Sequence, residues 1–183
     1  MAIMGDGDLQ RQALRRRLHE LETELVQAQA ELAALGVGEP LPGVYVVFDV
    51  GALSAAVPAA LVFEIVRLVE FTPLPQAPAH VLGSFLYRGE PAVGVDLAAL
   101  VGHPRLASLD AHVVVLATER RIGLVVDRVR TLVEAPVVAD PSEEEDAKVG
   151  RWGSRLVVGL CRSGDELLPL LDVGALVREG ETG

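Results

Sequence analysis

"VLGSFLYRGEPAVGVDLAALVG", residues 81–102, is mostly apolar, yet an arginine–glycine pair, Arg88-Gly89, interrupts it. An unpaired charge inside a core strand is strongly unfavourable, so the guanidinium needs a special reason to be there. On either side, "HVLGSFLY" (80–87) and "PAVGV" (91–95) have the composition of short strands. "DLAALVG" then opens a short helical piece, with Asp96 in N-cap position. The same succession returns in "LLPLLDVGALV" (167–177), where Asp172 takes the capping place. "PAVGVDLAALV" and "LLPLLDVGALV" therefore predict the closing segments of two similar subdomains in one β-rich unit.

Further strands are predicted at 44–49, 53–57 and 64–71 before this stretch. After it they are predicted at 112–117, 121–126, 128–134, 154–162 and 166–171. Ten short strands are too many for one small sheet, which points to two packed barrels. "DPSEEEDAKVGRWGS" (140–154) reads as a solvated acidic insertion; its spacing does not suit a calcium loop.

A different texture precedes residue 36. Leu14, Leu18, Leu21, Leu25, Ala28, Leu32 and Leu35 alternate at spacings of four and three, one apolar stripe with the seven-residue period of a coiled coil. Asp6 or Asp8 can cap the start of this helix, and Gly36, Gly38 and Pro40 end it. With Leu18 at a and Leu21 at d, Arg17 at g faces Glu22 at e of a parallel partner. The stripe predicts self-association or a partner helix; its alternative use is to lie on the protein's own domain. "GVGEPLPG" (36–43) is read as a linker, dividing a helical segment, 1–38, from a β domain, 39–183.

Half of the 183 residues are hydrophobic and 23% are charged, a globular composition. The net charge of −10 argues against a nucleic-acid partner. No apolar run is long enough to span a bilayer, no secretory signal opens the chain, and there is one cysteine, Cys161. A cytoplasmic location is expected. His19, His80, His103 and His112 are scattered without zinc-ligand spacing. There is no nucleophile elbow, phosphate loop or dinucleotide fingerprint, and no paired carboxylates suggest acid–base work. The expectation is a binding protein, not an enzyme, with no cofactor and no metal.

The motifs of residues 44–177 resemble those of the CheW-like domain, the adaptor fold of bacterial chemosensory arrays. "VYVVFDVGALSAAVPAALVFEIV" is similar to the family's opening strands and its Val-x-Glu-Ile turn, here Val62, Glu64 and Ile65. "FTPLPQAPAHVLGSFLYRG" resembles its Leu-Pro-x-Ala-Pro segment and Gly-x-x-x-x-Arg-Gly signature. "VDLAALVG", "RIGLVVDRV" and "VVGL…ELLPLLDVGAL" follow in the family's order. The chain departs from the pattern at Leu86, usually asparagine, and at Val93-Gly94, usually Pro-Val.

The resemblance implies a mainly β fold of two SH3-like five-stranded barrels with short helices, here preceded by one long amphipathic helix. It implies a stand-alone, non-catalytic adaptor that couples chemoreceptor cytoplasmic tips to the regulatory domain of a CheA-type histidine kinase. The alternative is a scaffold or localisation protein that kept the fold, lost one partner and works through its helix. The resemblance also implies a receptor groove at Val62, Glu64, Arg88 and Gly89, in which Arg88 can pair with Glu64. "FLYRG" would then be a strand delivering one cation to the groove mouth, with Gly89 letting the chain turn behind it.

Overall fold

The computed structural model describes residues 6–34, 38–103, 110–139 and 149–181. Helix α1 (Asp6–Ala34) comes first, followed by β1 (Val44–Val50), β2 (Leu53–Pro58), β3 (Val62–Arg67), β4 (Val81–Tyr87) and β5 (Glu90–Asp96). The short helix α2 (Leu97–Leu100) leads to β6 (His112–Leu116), β7 (Ile122–Val126), β8 (Arg128–Glu134) and β9 (Val137–Val138). The chain then forms β10 (Val157–Ser163), β11 (Glu166–Leu171) and helix α3 (Val173–Glu181). One sheet has the order β8-β1-β2-β11-β10-β9 and the other β3-β6-β7-β5-β4.

The fold is mainly β with two β subdomains, as expected, with one correction to the strand count. The first sheet has six strands, because the two-residue β9 pairs with β10. Two residues are too few to show any periodicity. Strand β3 also runs from Val62 to Arg67, not over 64–71, and the residues after it have another task.

Three clusters explain the near-continuous apolar strands. Tyr45 and Val47 of β1 point into the first barrel, while Val46, Phe48 and Val50 point into a core shared by both barrels. In β6, Val113 and Val115 fill the second barrel, and Val114 and Leu116 join the shared core. These strands still alternate as pleated strands must, but between two apolar destinations instead of core and water.

The segment read as a linker is partly built into the first barrel. Gly38 N–H donates to the Val138 carbonyl at 2.9 Å, Leu41 N–H donates to the Pro136 carbonyl at 2.7 Å, and Leu41 is wholly buried. This covers the open edge of β9 with a Gly/Pro-rich strap, whose composition hides its pairing. The acidic run at 143–146 lies outside the described residues. The segment read as an insertion, 140–154, nevertheless contains Trp152, which is 2% exposed and meets Phe48 edge-on with centroids 6.4 Å apart. Both aspartate caps form: Asp96 accepts from Ala98 N–H at 2.9 Å, and Asp172 from Ala175 N–H at 3.0 Å.

The second barrel closes where residues after β3 return to β4. Thr72 and Ser84 exchange two backbone hydrogen bonds of 2.8 Å, and a Cβ on Gly83 would stand 2.1 Å from the Thr72 carbonyl oxygen. Gly83 also has φ +135°. Gly83→Ala is therefore expected to cost roughly 2–4 kcal/mol in denaturant unfolding, combining backbone strain with a steric block. Gly164→Ala, at φ +60° but in open space, should cost only about 1 kcal/mol. Equal losses would remove closure as the reason for the glycine.

Cys161 is completely buried, and burial pushes its thiol up to about 12. It should be unreactive toward a thiol reagent in native protein and react once denaturant opens the first barrel.

Candidate partner-binding groove

Strands β3 and β4 are the two outer members of the second sheet's order. Curling the sheet brings them together, and the contacts of Phe63 and Glu64 with Tyr87 and Arg88 depend on that closure. On β3 the register with β6 slips between Val62 and Glu64, so Phe63 is an extra residue in the ladder. Such a bulge breaks the in–out alternation. Phe63 and Glu64, neighbours in sequence, can then both meet Tyr87 of β4. The Phe63 and Tyr87 rings lie edge-on at 6.0 Å, and the Tyr87 hydroxyl donates to Glu64 Oε2.

Tyr87 pairs with Glu90, leaving Arg88 and Gly89 as a two-residue hairpin loop with φ of +50° and +84°. Positive φ at both positions is the signature of the hairpin turn that matches strand twist. This corrects the expectation for "FLYRG": Arg88 belongs to the turn, not to the strand, so its guanidinium never enters the core. Asn, Asp and Gly are the residues at ease in the first position, and an arginine there carries backbone strain.

Arg88 Nη2 donates to Glu64 Oε2 at 2.8 Å, while the arginine side chain remains 64% exposed. Its guanidinium lies 5.3 Å from the Phe63 ring centre and 5.5 Å from that of Tyr87. Arg121, from the loop before β7, stands 4.5 Å from the Phe63 ring centre. Phe63 is thus a half-exposed aromatic plate between two cations, an arrangement in which ring faces attract positive charge.

The Tyr87 hydroxyl bond holds the Glu64 carboxyl below the usual carboxylate range, with help from the Arg88 guanidinium and against partial desolvation. Burial, then the bond to the Glu64 carboxylate, pushes the Tyr87 phenol up. Glu64 therefore contributes its charged contacts fully at and above the ordinary carboxylate range. They are lost only as pH falls through its lowered pKa.

Of the residues singled out in sequence, Glu64, Arg88 and Gly89 meet at this rim. Val62 is half-buried against the shared core. Phe63, Tyr87 and Arg121 were not singled out. Phe63 is the unnamed position of Val-x-Glu-Ile, and no sequence signal brings Arg121 close to it. Leu86, one of the family departures, is 77% exposed on β4. Gly94, another, leaves room that the Phe71 ring fills, since a Cβ there would come within 2.2 Å of that ring.

Phe63 and Arg121 also face a neighbouring cleft, which Glu64 and Arg88 do not line. This cleft of about 1070 Å³ separates the second barrel from α1, lined by Phe63, Glu90 and Arg121 on one side and Arg16, His19 and Thr23 on the other. Leu14, Leu18, Leu21 and Leu25 of α1 are exposed. Leu32 lies in the same helix, and Leu35 lies outside the described residues. Among the described residues no group of three or more His, Cys, Asp or Glu side chains is placed to hold a metal ion. No described helix is long and apolar enough to cross a membrane.

Replacing Tyr87 by Phe removes the main support of the Glu64 carboxylate. An NMR titration of that carboxyl should show its midpoint moving up toward the ordinary glutamate value. An unchanged midpoint would assign the shift to Arg88 alone.

Residues 44–181 match the family model described as "CheW-like domain". A probable chemotaxis protein CheW of Rhizobium etli is 28% identical over 140 residues, covering 75% of this chain and 88% of that protein. The crystal structure of the scaffolding protein TtCheW from Thermoanaerobacter tengcongensis superposes with a TM-score of 0.61 at 20% identity. That match covers 73% of this chain and 86% of the solved one. With its two β subdomains, its Arg-Gly hairpin and a family match over most of its length, the chain belongs to the CheW-like domain family.

Proposed function

We propose that this protein is a non-catalytic adaptor of a bacterial chemosensory system, joining chemoreceptor cytoplasmic tips to a CheA-type histidine kinase. Its place would be the cytoplasm, at receptor arrays. In this reading the rim around Glu64, Arg88 and Gly89, with Phe63 and Tyr87, receives a helix of the receptor tip. The observation that carries the reading is the conformation of Arg88. An arginine occupies a turn position that favours asparagine or glycine, with φ +50°, and still presents a mostly exposed guanidinium. An exposed ion pair is worth little to the fold, so stability does not account for accepting that strain. Strain of this kind is characteristic of functional positions.

The similarity to a chemotaxis CheW and to a solved scaffolding protein supports the adaptor class. The second reading, a scaffold or localisation protein working through its helix, is favoured by one observation: Leu14, Leu18, Leu21 and Leu25 of α1 face water.

The test is Arg88→Asn, which relieves the turn and removes the cation. Its melting temperature should stay within about 3 °C of the parent or rise. Binding to a receptor-tip fragment from the source organism, measured by calorimetry, should weaken about 10- to 100-fold, the range for a desolvated interface arginine. A clear fall in melting temperature with unchanged affinity would make the pair structural. Absence of any receptor or kinase binding by the parent protein would favour the second reading.

A further inference from the structure

Among the described side chains, helix α1 meets its own domain through one face. His19 Nε2 donates to the Ala117 carbonyl, Val26 packs on the shared core, and Gln27 lies beside Tyr45 and Pro58. Their spacings of seven and one place them together, with Thr23, on a single helix face. Leu14, Leu18, Leu21 and Leu25 emerge from the opposite side and are 65, 59, 46 and 57% exposed. The alternative use of the stripe, as a seat on the protein's own domain, is therefore already taken by the other face. Single exposed leucines are ordinary; four in an unbroken line form a continuous apolar strip.

We infer that this strip is the seam of a parallel, two-stranded pair between α1 of one copy and α1 of a second copy. The charges beside the seam select that occupant. Arg15 and Arg17 flank its first half, and Glu22 and Glu24 flank its second. In a parallel, in-register pair the stripe meets itself along its whole length, Ala28 and Leu32 included, and Arg17 of each copy reaches Glu22 of the other, once on each side. An antiparallel pair would also match Arg15 with Glu22 and Arg17 with Glu24, but would set Ala28 and Leu32 against the positions of Arg11 and Gly7. In the single copy, Arg17 pairs with its own Glu20 at 3.1 Å and is 66% exposed. Association thus exchanges one wet ion pair for another and leaves Glu20 in water. The strip is as narrow as a two-stranded seam, and the charged flanks oppose a third helix.

The docked back face has two consequences. A free coiled coil of about three heptads is marginal because each helix must first be nucleated. Here the barrel already holds α1 helical, which lowers the ordering cost of pairing. The β domain also sits away from the seam, so the two domains lie on the outer sides of the helix pair. Each cleft between α1 and the second barrel stays open, and the assembly is a bivalent adaptor carrying two grooves at a fixed separation. The dimer stands whether or not those grooves bind receptors.

Light scattering on the full chain should give twice the 19.4 kDa chain mass at micromolar concentration. Leu21→Glu with Leu25→Glu should return a 19.4 kDa species whose β-domain melting is unchanged. Arg17→Glu should weaken the dimer about five-fold, from two repulsive contacts, and adding Glu22→Arg should restore it. Leu14→Cys should form a disulfide-linked dimer on mild oxidation, a result available only to a parallel register because Leu14 lies far from any antiparallel centre. Buried Cys161 stays silent in that assay. A 19.4 kDa mass for the parent at every concentration, or a dimer that survives both leucine replacements, would overturn the inference. A dimer that fails to cross-link through position 14 would overturn the parallel arrangement.

Discussion

Burial of both faces of β1, β6 and β7 is the constraint on which the rest of this molecule depends. Each strand sends alternate side chains into its own barrel and into the core between the barrels, so neither barrel has an apolar face to spare. Phe48, Leu116, Leu124 and Leu176 of that common core are all completely buried, and they come from both sheets and from α3. Close-packed interiors transmit displacement instead of absorbing it. The rim that carries Arg88 is thereby backed by strands that end in the common core, and the two barrels act as one body.

The second barrel's closure turns this constraint into a site. Edge strands are ordinarily a hazard, and here both edges of the sheet are used: Thr72 caps β4, and the bulge at Phe63 re-aims β3 toward Tyr87. Flattening the sheet would separate Glu64 from Tyr87 and Arg88 and dissolve the site without altering one of its residues. Gly83 belongs to the site in this sense, although it touches none of the charged groups.

Much of this was legible in the sequence because local chemistry decided it. The strands are short apolar runs between turn residues, Asp96 and Asp172 cap as their positions suggest, and the Arg-Gly pair marked an anomaly that a turn resolves. What stayed hidden was decided by distant partners. Nothing local shows that Val113 and Val114 belong to different cores, or that Phe63 is an extra residue, which only its pairing with β6 defines. Residues 38–41 and Trp152 were masked by composition: glycine, proline and acidic neighbours suggest solvent, yet Leu41 and Trp152 are among the most buried side chains. The seven-residue repeat is written in the sequence, but the outward direction of Leu14, Leu18, Leu21 and Leu25 depends on where His19 and Val26 dock.

The chain order of the two sheets governs how the molecule can be made. Strands β3 to β7 follow one another without interruption, whereas the first barrel takes β1 and β2 from before them and β8 to β11 from after. One barrel is therefore spliced into the other, and β2 must wait for β11, its neighbour in parallel, until nearly the whole chain has been synthesised. Contacts of such long separation form slowly. In the interval the inner barrel can already be complete, with Val114, Leu116, Leu124 and Val126 facing water where the outer barrel will later cover them. Nascent chains at that point present a sticky face, and lesions in β10 or β11 far from the groove prolong its exposure, lowering yield in the cell before they alter any binding.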